Sequence, residues 1–364
     1  MRVAVVTESF LPQVNGVTNS VLRVCEQMER HGHEVLVVAP GPGPEHYAGA
    51  RVIRTPSIPL PCYADFRIAR PWAGMARALE QFRPDVVHLA SPTVLGAQAG
   101  FLAKRMGLPV VAVYQTDLAG FASRYRLGGA DRAVWSWLRT VHSVATRTLA
   151  PSRHAVEVLT AQGVERVRRW ARGVDLQRFT PGVRSDPWRR DVAADGEVVV
   201  GYVGRLAAEK EVELLAGLAD VPRVRLVVVG DGPQRASLQR KLPGARFLGF
   251  QSGPQLSTSY ASLDVFVHTG SHETFCQAAQ EALASGVPVV APSAGGLLDL
   301  VQPGSNGLHF VPGSAADLRR QVVRLVDDEA GRQSMGRGAR DSVLGRTWEV
   351  IGDQLVSHYE DVVA

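Results

Sequence analysis

Two acids and two bases in the second half of the chain have types and spacings that suit phosphate and sugar chemistry. Glu273 and Glu281 stand eight positions apart in Ser271-His-Glu-Thr-Phe-Cys-Gln-Ala-Ala-Gln-Glu281, and Arg205 and Lys210 stand five apart in Gly204-Arg-Leu-Ala-Ala-Glu-Lys210. Along one helix axis the two carboxylates would be separated by roughly 12 Å. That span suits a ligand with a sugar at one end, a diphosphate in the middle and a ribose at the other. Arginine offers a phosphate planar paired hydrogen bonds and lysine a compact point charge, so the basic pair could bracket a diphosphate. Plainer alternatives stand beside these: a capping Glu273, a solvated Glu281, and a basic pair engaged in surface salt bridges.

The surrounding sequence must position these groups. Asp264–His268 is a short apolar run that delivers the chain into the glutamate loop as a strand. Gln277–Ser285 is rich in helix formers, Gly286 stops that helix, and Val287–Ala291 reads as the next strand. A diphosphate there would meet the free N–H groups and positive end of the helix. Glu197–Gly204 reads as a strand ending at Arg205, Glu209-Lys210 as the opening of a helix, and Val227–Pro233 as a strand end with a glycine turn at Gly230. The first half reads similarly. Arg2–Val6 is a strand, Thr7–Gly16 a loop and Val17–Arg30 an amphipathic helix, an arrangement that binds phosphate or is an ordinary turn. It lacks the G-x-G-x-x-G fingerprint of a dinucleotide site. Further strands are expected at Glu34–Ala39, Val52–Arg54, Asp85–Leu89, Pro109–Tyr114 and Arg147–Pro151, with helical patterns between several of them. Strands alternating with helices indicate parallel sheets, whose ligands gather at the strands' carboxyl ends. Gln115-Thr116-Asp117 follows one such end, as a site or as a buried turn. Pro187–Gly196 is polar and unpatterned, which sets a domain boundary nearby.

The chain has 364 residues, 45% of them hydrophobic, enough for two domains. A formal charge of +5 and a pI of about 9.4 suit anionic ligands or an anionic membrane surface, but are too weak to argue for nucleic acid. Cys25, Cys62 and Cys276 lack disulfide or metal spacing, which points to a reducing compartment. No apolar run reaches the ~20 residues of a spanning helix, and the short run after Met1 is no signal-peptide core. The expectation is a cytoplasmic protein, at most peripheral on the inner face of a membrane. Ser123–Arg147 carries Arg124, Arg126, Arg132, Arg139, His142 and Arg147 among Tyr125, Trp135 and Trp137. This reads as a membrane-surface segment or as a solvated helix face.

The block Glu273-Thr-Phe-Cys276, Gln280-Glu-Ala282, Gly286-Val-Pro-Val-Val-Ala291 and Gly295-Gly-Leu-Leu-Asp299 resembles the E-x7-E signature of retaining, family-four glycosyltransferases. Gly204-Arg-Leu206 with Glu209-Lys210, Gly230-Asp-Gly-Pro233 and Arg172-Gly-Val-Asp175 resemble other segments of that family. Tyr114-Gln-Thr-Asp-Leu-Ala-Gly120 and Glu273-Thr-Phe-Cys276 look closest to GDP-mannose-dependent α-mannosyltransferases and to sulfoquinovosyl-type transferases of lipid acceptors. The resemblance implies the GT-B fold: α/β, with two Rossmann-like domains facing across a cleft. Residues 1–180 would hold the acceptor and 181–344 the nucleotide-sugar donor, and 345–364 would cross back to the first domain as a helix. It implies catalytic roles for Arg205, Lys210 and Glu273, the cations stabilising the departing diphosphate. Donor contacts are implied at Gly16, Gln115, Gly230, Phe275, Cys276, Gln277 and Glu281, the last on the ribose. Many relatives carry histidine where Gln115 stands. Glutamine can orient a sugar hydroxyl but does not titrate near neutral pH, and Asp117 is then expected to orient the acceptor hydroxyl. No Asp-x-Asp metal site is present in the sequence. The resemblance therefore implies a metal-independent hexosyltransferase with no cofactor beyond its donor, GDP-mannose, and a hydroxyl acceptor such as a glycolipid. A nucleotide-sugar 2-epimerase, or a transferase with a UDP-sugar donor, is the alternative.

Overall fold

A computed structural model describes residues 1–13, 15–60, 63–115 and 130–364. The chain forms two compact units: Met1–Arg172 with Trp348–Ala364, and Gly173–Thr347. The expected boundaries lay at 180/181 and 344/345; the units change over at 172/173 and 347/348.

The first unit is built on β1 (Arg2–Val6), β2 (Glu34–Pro40), β3 (His46–Tyr47), β4 (Ala50–Thr55), β5 (Ser57–Leu60), β6 (Tyr63–Ala69), β7 (Val86–Leu89), β8 (Val110–Val113), β9 (Arg147–Ala150) and β10 (Val167–Arg169). Eight of these make one sheet in the order β10-β9-β8-β7-β1-β2-β4-β3, parallel except for the short β3 edge. The apolar runs follow from burial on both faces. Val3 and Val5 of β1 enter one core cluster, and Ala4 and Val6 enter the other. The antiparallel pair β5–β6 was not among the expected strands. The C-terminal helix Trp348–Val363 belongs to this unit. Ile351, Leu355 and Tyr359 are buried in the same cluster as Val3 and Val5, each worth about 1.5–3 kcal/mol of apolar burial. The Tyr359 hydroxyl meets His88 Nδ1 at 2.7 Å, and Trp170 Nε1 donates to the Ile351 carbonyl at 2.9 Å.

The second unit holds β11 (Val198–Val203), β12 (Val224–Val229), β13 (Arg246–Gly249), β14 (Val265–Val267), β15 (Val289–Pro292) and β16 (Gly307–Phe310). They form one parallel sheet in the order β13-β12-β11-β14-β15-β16. Two local features differ from expectation. Residues 186–192, read as unpatterned, form a short helix. The Ser185 side chain accepts from Trp188 N, Pro187 sits in its first turn, and Arg184 and Arg189 both pair with Asp264. Lys210 does not open a long helix but ends the 3-10 turn Ala208–Lys210. Glu211 follows in the left-handed region at φ 50°, and a second 3-10 segment runs Val212–Leu218.

Candidate functional site

The glutamate loop leaves the end of β14 and reaches the helix Gln277–Ala284. Glu273 is therefore not on that helix, and the two carboxylates do not share one axis. The cause is Cys276, which caps the helix at φ 80° and ψ 78°, a left-handed conformation that non-glycine residues rarely adopt. The loop is pinned from behind by Gly295 and Gly296. Gly296 N donates to the Glu273 carbonyl at 2.7 Å. A Cβ on Gly295, whose φ is 58°, would lie 2.5 Å from that carbonyl oxygen, and one on Gly296 2.5 Å from the Phe275 Cα. Only glycine allows the two backbones to approach this closely.

A second set of bonds ties this loop to Lys210. Thr269 Oγ1 donates to the Lys210 carbonyl at 2.6 Å, and Ser271 donates to Glu211 Oε1 through its hydroxyl at 2.5 Å. Lys210 Nζ then reaches Glu273 Oε1 at 2.6 Å. His268 Nε2, on a ring only 3% exposed, lies 2.9 Å from the same oxygen, at ion-pair distance but without hydrogen-bond geometry. Tyr202 stacks on His268, with centroids 6.3 Å apart, and its hydroxyl donates to the Arg205 carbonyl at 3.0 Å. Lys210 and Glu273, 63 positions apart, thus meet at the carboxyl end of the sheet.

The charges reinforce one another. Burial alone would push the Glu273 carboxyl up, but the Lys210 ammonium and His268 outweigh it and hold its pKa well below the usual range. Burial alone would lower the pKa of Lys210, and the Glu273 carboxylate raises it instead. For His268, burial disfavours the imidazolium, yet Cys276 and Glu273 together raise its pKa. Glu281 behaves oppositely. Burial lifts its carboxyl to about 7, offset only in part by Tyr260, Arg178 and Gln277.

The remaining expected residues fall as follows. Arg205 is exposed just past β11. Gly230 has a packing reason of its own: at φ 132°, a Cβ there would lie 2.0 Å from the Gly204 carbonyl oxygen. Phe275 and Cys276 are buried as whole residues, each 5% exposed. Gln277 Nε2 donates to the Gly173 carbonyl at 3.1 Å. In the first unit, Gly16 is the first residue of the helix Gly16–Arg30, whose cap Asn15 accepts from Thr18 N. A Cβ on Gly16 would meet nothing within 4 Å, so packing does not require glycine there. Gln115 has both ends of its amide engaged. Its Nε2 donates to the Ala90 carbonyl at 2.8 Å, and its Oε1 accepts from Arg172 at 2.6 Å. Asp117 lies outside the described residues, as does 123–129 of the basic stretch.

Two members of that stretch are not surface cations at all. His142 is buried against Thr148, which lowers its pKa to about 4, and Arg147 pairs with Asp361 at 2.8 Å. Arg132, Trp137 and Arg139 remain exposed on the helix Ala130–His142. Sequence reasoning missed His268 and Glu211, and marked Arg172 only as the start of the family-like segment Arg172-Gly-Val-Asp175. His268 was visible as the polar end of an apolar strand; Glu211 had no signal beyond its neighbours. Arg172 is a buried guanidinium that donates to Ser20 Oγ and Gln115 and lies over the Trp170 ring, and burial lowers its pKa to about 10.

Comparison with known proteins gives the family and the fold. The sequence pattern described as Glycosyltransferase Family 4 matches residues 14–178, and that described as Glycosyl transferases group 1 matches residues 185–342. A GDP-mannose-dependent alpha-mannosyltransferase of Mycobacterium tuberculosis (strain CDC 1551 / Oshkosh) is 52% identical, over 100% of this chain and 97% of its own. A GDP-mannose-dependent alpha-(1-6)-phosphatidylinositol dimannoside mannosyltransferase of M. tuberculosis (strain ATCC 25177 / H37Ra) is 30% identical, over 89% of this chain and 86% of its own. Among solved structures, Anabaena HepE in complex with UDP superposes with a TM-score of 0.81 at 19% identity, over 99% of this chain and 100% of its own. That likeness supports the fold, and the comparisons lend the epimerase alternative no support. Two Rossmann-like units with a Lys210–Glu273 pair at a sheet's carboxyl end, and full-length identity of this order, make the chain a member of glycosyltransferase family 4, with the GT-B fold.

Proposed function

We propose that the protein transfers an α-mannosyl group from GDP-mannose to a hydroxyl of a glycolipid acceptor, with retention at the anomeric carbon and without a resident metal ion. The observation that carries the reading is the Lys210–Glu273 contact at the mouth of β14, beside a helix N-terminus, in a chain 52% identical to a GDP-mannose-dependent relative. In the free protein Glu273 and Lys210 satisfy each other. When donor enters, Glu273 turns to a hydroxyl of the sugar, and Lys210 and Arg205 take the diphosphate together with the first N–H groups of the helix Gln277–Ala284. Charge developing on the leaving phosphate is then met by groups already in place, which is the main source of rate. The same cations make a divalent ion unnecessary. Glu281 holds the ribose. Gly16 and Gln115 act on the donor, and Asp117 orients the acceptor hydroxyl.

A relative named for a phosphatidylinositol dimannoside acceptor supports a glycolipid. Among the described residues no helix is long and apolar enough to cross a membrane. We therefore assign acceptor access to peripheral contact from the cytoplasmic side, through the exposed Arg132, Trp137 and Arg139. A thermal-shift screen with GDP-mannose, UDP-glucose and UDP-sulfoquinovose, followed by transfer to a lipid acceptor, tests the proposal. GDP-mannose at about 100 times its Kd should stabilise by about 2.7 kcal/mol. Stabilisation by a UDP-sugar alone would reassign the donor.

A further inference from the structure

His268, Glu273 and Cys276 bring three different ligand types together: an imidazole nitrogen, a carboxylate oxygen and a sulfur, all within 4.8 Å of one another. This is the donor set that borderline-soft divalent ions select; calcium and magnesium prefer oxygen alone. The placement is that of a built site. His268 is 3% exposed and Cys276 5% exposed, and the ring nitrogens of His268 meet no partner with full hydrogen-bond geometry, although Nε2 lies 2.9 Å from Glu273 Oε1. The left-handed backbone of Cys276 turns the chain at this point, and the Gly295-Gly296 wall holds Glu273 against movement of the loop. We propose that these three side chains bind one divalent cation of the zinc class, and that binding withdraws Glu273 from Lys210.

The coordination chemistry is consistent with the spacing. Zn–N and Zn–O bonds of about 2.0–2.2 Å and a Zn–S bond of about 2.3 Å put tetrahedral ligands roughly 3.5 Å apart, so the widest pair closes by about 1 Å. The Cys276 thiol and the His268 imidazolium, which Glu273 favours in the free protein, each release a proton to solvent as they ligate. The ion, the thiolate and the Glu273 carboxylate then sum to zero charge with a neutral His268. That leaves the Lys210 ammonium without its partner. Its side chain is 30% exposed on a flexible stem, so it can swing to water. Three protein ligands leave a fourth position for water or an anion. If Glu273 contacts the donor sugar, a clause that rests on the proposed function, the occupied site excludes donor and acts as an inhibitory switch.

The binding test does not depend on transferase activity. Full-length protein freed of metal with a chelator is titrated with Co²⁺ and followed by absorption. One equivalent should give a near-ultraviolet thiolate-to-cobalt charge-transfer band with the visible bands of tetrahedral cobalt, both bleached by Zn²⁺. Cys276→Ser should abolish the charge-transfer band, His268→Asn should alter the visible bands, and Cys25→Ser and Cys62→Ser should leave both intact. Absence of the bands, or their persistence in Cys276→Ser, overturns the proposal. Should Cys276→Ser fail to fold, His268→Asn decides, and an unchanged cobalt spectrum in it is equally fatal. A positive cobalt spectrum without mannosyl transfer would leave the site standing and fault the functional reading instead.

Discussion

Lys210→Ala removes a cation that serves two partners in turn. In the free protein its ammonium lies 2.6 Å from Glu273 Oε1; in the reaction we assign it to the departing diphosphate. Losing a preorganised charge at a developing anion typically slows turnover by 10²–10³, or about 2.7–4 kcal/mol of barrier. The first partner adds a separate signature. A charge-assisted hydrogen bond of about 1.5–3 kcal/mol that vanishes lets the Glu273 carboxyl rise by about one to two pKa units. The acid limb of kcat/KM should therefore move up toward, and not beyond, the ordinary carboxylate value of 4.5 in Lys210→Ala, while Lys210→Arg should keep the limb near its original place. Steady-state transfer from the lowest pH at which the protein stays folded up to pH 8, with GDP-mannose and a lipid acceptor, measures both effects. Turnover within about threefold of wild type would remove Lys210 from the chemistry. A slow variant with an unmoved acid limb would mean that the contact with Glu273 does not set the carboxylate's charge.

Other outcomes follow from the same geometry. Gly296→Ala places a Cβ 2.5 Å from backbone atoms of residues 274 and 275; it should depress transfer at least tenfold through displacement of Glu273, and wild-type kinetics would show that the loop is not pinned there. Glu281 is protonated in the folded state up to about pH 7, whereas its usual value is 4.5. Its contribution to stability is full below 4.5 and declines as pH rises toward 7, so Glu281→Gln should gain stability relative to wild type across that window, by at most about 3 kcal/mol. Chemical denaturation at pH 4.5 and 7 measures the gain, and a pH-independent difference contradicts the assignment. Transfer should survive excess EDTA; loss restored by magnesium or manganese would require a resident ion. Binding to phosphatidylglycerol vesicles should weaken with salt and with the Arg132→Ala/Arg139→Ala double variant, and equal binding to neutral vesicles would refute an electrostatic surface.

The strands were legible because a parallel sheet covered on both faces needs continuous apolar runs, and Val3–Val6, Leu36–Val38 and Val198–Val200 supply them. The candidate residues were legible as types, because Arg205, Lys210 and Glu273 stand out as charged groups after apolar strands. What the residues touch was not. Nothing local predicts that Lys210 meets Glu273 across 63 positions, because that contact depends on the strand order, in which β11 lies beside β14. Nor does helix propensity reveal where the helix starts. A left-handed Cys276 stops it short of Glu273, a tertiary choice enforced by Gly295 and Gly296 packing on the same loop. The helix at 186–192 escaped notice because its support is a cap at Ser185 and two arginines on Asp264, more than seventy positions away.

The core of the first unit is completed by the last segment of the chain, Trp348–Ala364, whereas the second unit is one uninterrupted stretch. During synthesis at roughly 5–20 residues per second, Trp170 must wait about 10–35 s for Ile351, Leu355 and Tyr359, and Val3 and Val5 about 17–70 s. In that interval the second unit can close while the first still exposes the groove that the final helix fills. The nascent chain therefore carries an apolar vacancy on its earliest-made half, with the waiting time set by the length of the later half. Lengthening the second unit by insertion should extend that exposure and raise dependence on chaperones without altering a single contact of the finished protein.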